Sequence, residues 1–588
     1  MIRFDPYCSQ DKMPFGAVPN GTALNFHARV LRSVYGNCEL RFQKDGEDEV
    51  VYPMDWVGLD GMYDEYACRL NVETEGLYFY RITMRRNNFV FDSTDTFQQT
   101  VYQKEFDTPH WIRGGLYYHI FVDRFAKGKD TPRRDDAVYH LNWKDDPVFR
   151  PDEKGEILNC DFFGGNLDGI RQKLPYLNSL SVTAIYLSPI FEAYSNHKYD
   201  TGDYQKIDPS FGTFEDLSRL IEEASAYGIR IICDGVFNHT GADSRYFNLK
   251  GKYDTVGAAQ SKDSPYRDWY SFNDDGTYQS WWGIYTLPTV RKDNPDFESL
   301  ILGEDGVVPS MLRRGIRGWR LDVADELSNS FLDALRTAAK QVDPDALIIG
   351  EVWEDASNKI AYGHRRRYFG GKQLDSVMNY PFQNAICDFV KWGDAKAFYK
   401  TVMSVLDHYP PCVIHTLMNT LGTHDTPRIL TRLGMDIVPE DREALSVLKL
   451  DKETRKTAEK RLQLAFLIQF TLPGVPCIYY GDEAGMEGGR DPFNRRTFPW
   501  GDENKSLLAW VQKLSSFRHK NNVFKEGKLR FLCAENGVLF YERYHDTRSV
   551  IVGVNRSTET VTTDFKNYRR VIGKGNTLAP DEAGIWTK

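Results

Sequence analysis

From Gly115 onward the chain alternates short apolar runs with amphipathic stretches, and that rhythm constrains the fold more than any other feature. The runs are Tyr117-Tyr-His-Ile-Phe-Val122, Val182-Thr-Ala-Ile-Tyr-Leu-Ser188, Ile229-Arg-Ile-Ile-Cys-Asp234, Ile316-Arg-Gly-Trp-Arg-Leu-Asp322, Ala346-Leu-Ile-Ile-Gly-Glu351, Ser376-Val-Met-Asn-Tyr380, Thr416-Leu-Met-Asn-Thr-Leu421 and Val475-Pro-Cys-Ile-Tyr-Tyr480. Between them lie segments such as Phe214 to Tyr227, apolar at helical spacing. Strands alternating with helices predict an α/β fold. Eight candidate strands fit a (β/α)8 TIM barrel better than an open doubly wound sheet.

The barrel region is flanked by two regions of different pattern. Residues 1–112 hold period-two segments such as Thr22-Ala-Leu-Asn-Phe-His-Ala-Arg-Val-Leu31 and Gly76-Leu-Tyr-Phe-Tyr-Arg-Ile-Thr-Met84, broken by Gly, Asp and Asn clusters. That pattern predicts an N-terminal β-sandwich. The barrel is expected over 113–522, with a loop domain inserted after the third strand at about 240–304. Residues 523–588 return to strand-like segments and predict a small C-terminal β domain. A chain of 588 residues is too long for one core, so several domains are expected.

Charge excludes some partners. The net charge of −9, from 74 basic and 83 acidic residues, gives no footprint for nucleic acid. No apolar run reaches the length of a membrane span. Nine scattered cysteines without a CxxC pair read as thiols in a reducing compartment, and Met1 to Lys12 lacks the apolar core of a secretory leader, so a cytoplasmic protein is expected.

Carboxylates end several of the strands: Asp234 the third, Asp322 the fourth and Glu351 the fifth, while Asp425 follows the seventh. In a barrel, the carboxyl ends of the strands form the face where reactive groups converge. A lone acid there commonly caps the next helix. Four on one rim, with Arg320, His239 and His424 beside them, point instead to glycoside cleavage, which needs a nucleophilic carboxylate and a protonated one roughly 5 Å apart for retention. Arg320 lies two residues before Asp322, so on a strand both face the same way, and the guanidinium would keep Asp322 ionised as nucleophile.

The motifs around these residues resemble the α-amylase family, glycoside hydrolase family 13. Asp234-Gly-Val-Phe-Asn-His239, Gly318-Trp-Arg-Leu-Asp322, Gly350-Glu-Val-Trp353 and Thr423-His-Asp425 are similar to its four conserved regions, in the family's order. Tyr118 to Phe125, Asn196-His-Lys-Tyr-Asp200 and Gly474 to Glu483 are supporting matches, and the resemblance covers about 115 to 520. It implies catalysis by Asp322, Glu351 as acid/base and Asp425. It also implies a substrate pocket including Tyr199, Asp200, Asp234, Asn238, His239, Arg320 and His424. Tyr199 would stack on the reacting sugar, and the two histidines would bond sugar hydroxyls. No HExxH spacing occurs among the 12 histidines, so no metal is expected on them.

Within the family the nearest resemblance is to the neopullulanase, cyclomaltodextrinase and maltogenic amylase group. It rests on Pro14 to Pro19, on Val323-Ala-Asp-Glu326 after the nucleophile, and on Asp491 and Arg495, which resemble a sugar-binding pair. The competing reading of Asp491 and Arg495 is an exposed i,i+4 salt bridge. Leu287-Pro-Thr-Val-Arg291 departs from the group's Met-Pro-Lys-Leu-Asn signature. The loop Phe125 to Asp130 carries Lys127 and Lys129 where relatives have asparagines at a calcium site, so no cofactor is expected there, although Asp130, Asp135 and Asp136 retain oxygen donors. The resemblance implies an α-glucan substrate (maltooligosaccharide, cyclodextrin, pullulan or starch, through α-1,4 and also α-1,6 bonds) and allows a homodimer. A glucanotransferase or exo-acting α-glucosidase would share these residues; a non-catalytic homologue would usually have lost one carboxylate.

Overall fold

The computed structural model describes residues 1–588 apart from Ser33 and Lys154. Its chain forms two compact units. The first comprises Met1–Thr108, Glu354–Asp375 and Lys400–Ile414; the second comprises Pro109–Trp353, Ser376–Tyr399 and His415–Lys588.

The first unit is built on two sheets, antiparallel except where Val18–Pro19 runs parallel to Phe97–Tyr102. Thr22–Leu31 pairs along its length with Tyr63–Val72, and alternate residues Leu24, Phe26, Ala28 and Val30 point into the core. The facing sheet centres on Gly76–Arg86, which supplies Tyr78, Tyr80, Ile82 and Met84 to the same core. Phe26 and Tyr80 meet edge to face at 5.0 Å, a favoured aromatic geometry. The two later segments of this unit are tied in by polar contacts. Asn358 donates to Gln98 Oε1 at 2.8 Å, and Arg365 pairs with Asp45 at 2.7 Å. Lys12, fully buried, meets Asp407 at 3.1 Å. Burial pushes the Lys12 amine down while Asp407 holds it up.

In the second unit the eight expected strands are present: β1 Tyr117–Ile120, β2 Ala184–Leu187, β3 Arg230–Gly235, β4 Gly318–Leu321, β5 Leu347–Gly350, β6 Ser376–Val377, β7 Met418–Thr420 and β8 Val475–Tyr479. All pair in parallel in the order β6-β5-β4-β3-β2-β1-β8-β7, and a single bridge, Met378 to Met418, closes the ring. Its interior is filled by side chains including Tyr117, Tyr186, Ile232, Ile349, Met378, Met418 and Val475, as expected of a packed barrel.

The helices follow from capping and periodicity. Phe214–Ala226 starts with a reciprocal capping box between Thr213 and Asp216 and buries Leu217, Leu220 and Ala224. The helix Lys452–Thr471 ends against the C-terminal sheet, where buried Arg543 donates to the carbonyls of Thr471 and Gly527, both at 2.8 Å. An arginine there satisfies carbonyl groups that a helix end leaves without partners. The stretch between β3 and β4 holds few regular elements and is organised by isolated bridges, among them His239 to Thr289 and Tyr270 to Val290. The five-stranded C-terminal sheet runs from Lys528 to Thr587. Among the described residues no helix is long and apolar enough to cross a membrane.

The buried Lys12–Asp407 pair gives a stability test. Lys12→Ala strands a buried carboxylate and is expected to destabilise the first unit by about 3–5 kcal/mol, whereas Lys12→Met combined with Asp407→Leu is expected to regain most of that loss. Denaturant unfolding of both variants checks it; equal losses would overturn the reading.

Candidate active site

Parallel pairing sets the catalytic geometry before any side chain is considered. β4 lies between β3 and β5, with Asp234 in register with Arg320 and Arg320 with Ile349. Because Arg320 and Asp322 are two apart, both reach the same side of the strand. Arg320 is fully buried and spreads its charge over three carboxylates. Its Nη1 lies 3.0 Å from Asp234 Oδ1 and 2.9 Å from Asp322 Oδ1; its Nη2 lies 3.1 Å from Glu351 Oε2. One guanidinium thus contacts both Asp322 and Glu351, the two acids that a retaining mechanism would pair.

Two of the three carboxylates, Asp234 and Glu351, have further donors. Asp234 Oδ2 accepts from Tyr186 OH at 2.5 Å and Tyr199 OH at 2.8 Å. Glu351 Oε2 accepts from the Val323 backbone N–H at 2.7 Å, and Oε1 from the Trp353 indole at 3.1 Å. Val323 has φ 40°, in the left-handed region. A β-branched residue held there costs roughly 1–3 kcal/mol, and here the strain aims its N–H at Glu351.

Three acids against one cation leave excess negative charge in a dry site. Burial, then Glu351, push Asp322 well above the usual carboxylate range, with Arg320 opposing. Burial also raises Asp234, again opposed by Arg320. Asp425 is pushed up to about 7 by burial and by Glu351, against Arg495 and Arg320. Proton affinity in the resting site is therefore raised at Asp322, the residue the sequence reading expects to be kept ionised; Arg320 opposes that rise without cancelling it.

Around this core the other expected residues gather in part. His424 Nε2 lies 3.1 Å from Asp425 Oδ2 and its ring stacks on Tyr199 at 5.0 Å. Burial drives both His424 and His239 down, His239 to about 3, so both stay neutral hydrogen-bonding groups. Arg495 is buried, contacts Asp491 at 2.8 Å and Asp425 at 3.5 Å, and donates to the His424 carbonyl at 3.0 Å. The Asp491–Arg495 pair is thus joined to the site rather than an isolated surface bridge. Asp200 is turned elsewhere: its carboxylate accepts from the backbone N–H and hydroxyl of Ser195, holding the turn that presents Tyr199. Glu326 accepts the Trp282 indole at 3.2 Å.

Several contributors carry no role in the sequence reading. Tyr186 lies on β2 beside Asp234, and a tyrosine inside a barrel strand reads as core packing. Trp353 stands in the third motif, two residues from Glu351, a spacing that could have flagged it. It stacks on Tyr380 at 4.1 Å while its own ring is 45% exposed. Trp281 stacks on His239 at 5.5 Å and Trp282 is 80% exposed; both lie in the insertion, where no periodicity marks them.

The lysines of the loop after β1 are engaged by neighbouring side chains. Lys129 Nζ lies 2.5 Å from Asp216, its backbone N–H donates to Asp168 at 2.9 Å, and Lys127 sits over the Trp143 ring at 5.5 Å. Among the described residues no group of His, Cys, Asp and Glu side chains is arranged to hold a metal ion.

A closed parallel barrel whose carboxyl rim carries paired acids is the framework of an acid-assisted, nucleophilic enzyme. Residues 119–530 match the α-amylase catalytic domain, and 530–579 match the cyclo-malto-dextrinase C-terminal domain. The chain belongs to the α-amylase family of glycoside hydrolases. An amylopullulanase of Thermoanaerobacterium saccharolyticum is 36% identical across 97% of this chain, which spans 49% of that protein's length. A cyclomaltodextrinase of Geobacillus thermopakistaniensis is 36% identical over 77% of this chain and 71% of its own. The solved ligand-free cyclic α-maltosyl-(1→6)-maltose hydrolase of Arthrobacter globiformis superposes with TM-score 0.67, 29% identity, and coverage of 82% of this chain and 99% of that one.

Removing the shared cation tests the electrostatics. Carboxyls with raised folded-state pKa bind more protons folded than unfolded between the two values, so stability rises as pH falls through that window. Arg320→Met is therefore expected to destabilise the protein by about 3–5 kcal/mol at about pH 8 and distinctly less at about pH 5. Thermal unfolding across that range checks it; a loss independent of pH contradicts this account.

Proposed function

We propose that the protein hydrolyses α-1,4 glucosidic bonds, with α-1,6 bonds as a second linkage, in short or cyclic α-glucans such as maltooligosaccharides, cyclodextrins and pullulan. The observation that carries this reading is Arg320 joining Asp322 to Glu351 across neighbouring strands. Names borne by relatives, cyclomaltodextrinase and amylopullulanase, support the substrate class.

The chemistry is a double displacement. Asp322 attacks the anomeric carbon while Glu351 gives its proton to the glycosidic oxygen, and the leaving sugar departs as an alcohol. Glu351, now a carboxylate, takes a proton from water, whose oxygen displaces Asp322 and restores the original α configuration. Arg320 favours charge on Asp322 at the start of each cycle. Asp425, with Arg495 and neutral His424 behind it, is assigned to the hydroxyls of the reacting ring, and the Tyr199 face to its C–H surface. The exposed indole of Trp282, bonded to Glu326, offers a surface for a sugar acceptor, so transfer accompanies hydrolysis when sugar is abundant.

The engaged donors around Lys129 support activity without calcium. Nine free thiols support a cytoplasmic setting, and the family resemblance supports assembly as a homodimer.

Asp322→Asn is expected to lower turnover of a maltooligosaccharide by about 10⁴-fold or more, with the fold intact by circular dichroism; undiminished turnover refutes the nucleophile assignment. NMR of the first product should show the α anomer, whereas initial β anomer would mean inversion. Prolonged EDTA treatment should leave rate and thermal midpoint unchanged, and a loss restored by added calcium would refute the metal-free reading.

A further inference from the structure

The insertion after β3 returns beside the first conserved motif. The Val290 N–H donates to the Asn238 carbonyl at 3.0 Å and the Thr240 N–H to the Pro288 carbonyl at 3.2 Å, so the segment ending in Lys292 is laid against Asn238 and His239. Lys292 Nζ donates to Asn238 Oδ1 at 2.8 Å. The other end of the same amide, Nδ2, faces His239 Nδ1 at 3.2 Å. Asn238 and His239 are both buried, and His239 Nε2 has no hydrogen-bond partner among the described residues.

Donor and acceptor rules make this chain directional. An ammonium has only donors, so the amide atom facing it must be the oxygen. The amide then presents N–H to the imidazole, and two N–H groups cannot bond each other, so Nδ1 must carry the lone pair. A neutral imidazole has one proton, which is left on Nε2. Burial keeps His239 neutral, and the Tyr199 backbone carbonyl is the remaining acceptor beside the ring. Trp281 stacks on one face of that ring.

We propose that Lys292 is a positioning residue: acting through Asn238, it fixes the His239 proton on Nε2, on the side of the Tyr199 carbonyl, and so steadies the turn whose Tyr199 ring is assigned to the sugar. The final clause rests on the glucan reading above; the tautomer relay does not. Asn238 of the first motif makes the contact to the ring, but the cation that orients its amide comes from outside the four motifs, and Lys292 lies just beyond the segment that departs from the group's signature.

The test uses the full-length protein labelled with ¹⁵N-histidine, with the His239 signals identified by loss in His239→Gln and the tautomer read from long-range ¹H–¹⁵N correlations. The parent is expected to show protonated Nε2. Lys292→Met is expected to give a mixed tautomer, with kcat/KM on a maltooligosaccharide about tenfold lower and most of the change in KM. Lys292→Arg, also donor-only, is expected to keep the parent spectrum and rate. Asn238→Asp, which retains a partner for Lys292 but offers only acceptors to Nδ1, is expected to move the proton there. An unchanged single tautomer in Lys292→Met overturns the proposal, whatever the rate. A tautomer shift in a protein that cleaves no glucan upholds the relay and refutes the substrate reading instead.

Discussion

The buried guanidinium of Arg320 is the charge on which the rim depends. Two unit charges about 3 Å apart in a poorly polarisable interior interact strongly, and three carboxylates crowded there with no cation would repel one another and draw in water. With Arg320 among them, Asp234, Asp322 and Glu351 share one counter-ion, and burial raises the proton affinity of Asp234 and Asp322 against its pull. The cation is itself held by its surroundings: its Nε lies 3.5 Å from Met378 Sδ, and its plane faces the Tyr186 ring at 5.9 Å. Strand order, barrel closure and proton affinity are therefore parts of one arrangement.

A second layer controls where that charge can act. Tyr186 and Tyr199 fix Asp234, strained Val323 and Trp353 fix Glu351, and Arg495 links Asp425 to Asp491. These contacts orient groups that would otherwise rotate, and orientation is worth more to a reaction than proximity alone. His239 and His424 complement them as neutral partners, adding directionality without adding charge to a site that already carries an excess.

Much of this was legible in the residues, for a physical reason. Barrel strands are short and buried, so their apolar runs stand out, and the reactive acids sit at strand ends, where motif and geometry coincide. The i,i+2 spacing of Arg320 and Asp322 needed no structure to interpret. Pairings between elements distant in sequence were not legible. Nothing in Glu354–Asp375 or Lys400–Ile414 marks those segments as companions of the N-terminal sheets, because their ties include polar contacts between residues far apart in sequence, such as Asn358 to Gln98. The contribution of Lys292 was hidden likewise, since a lysine in an irregular stretch reads as a solvated charge. Asp200 shows the converse: a residue inside a strong motif whose carboxylate serves the local turn.

Those two returning segments have a consequence for how the chain can be divided. They are the connections on either side of β6, between β5 and β6 and before β7, and β6 meets β7 through one backbone bridge, with Ser376 and Asn379 adding side-chain bonds to Thr416 and Asn419. The last seam of the ring is thus threaded by chain whose packing partners lie among the first hundred residues. A truncation that removed those residues would strip both connectors of partners such as Gln98, Asp45 and Lys12. The two units are interleaved in sequence, so the barrel is not a cassette to be excised, and completion of its circumference is tied to folding of the chain's beginning.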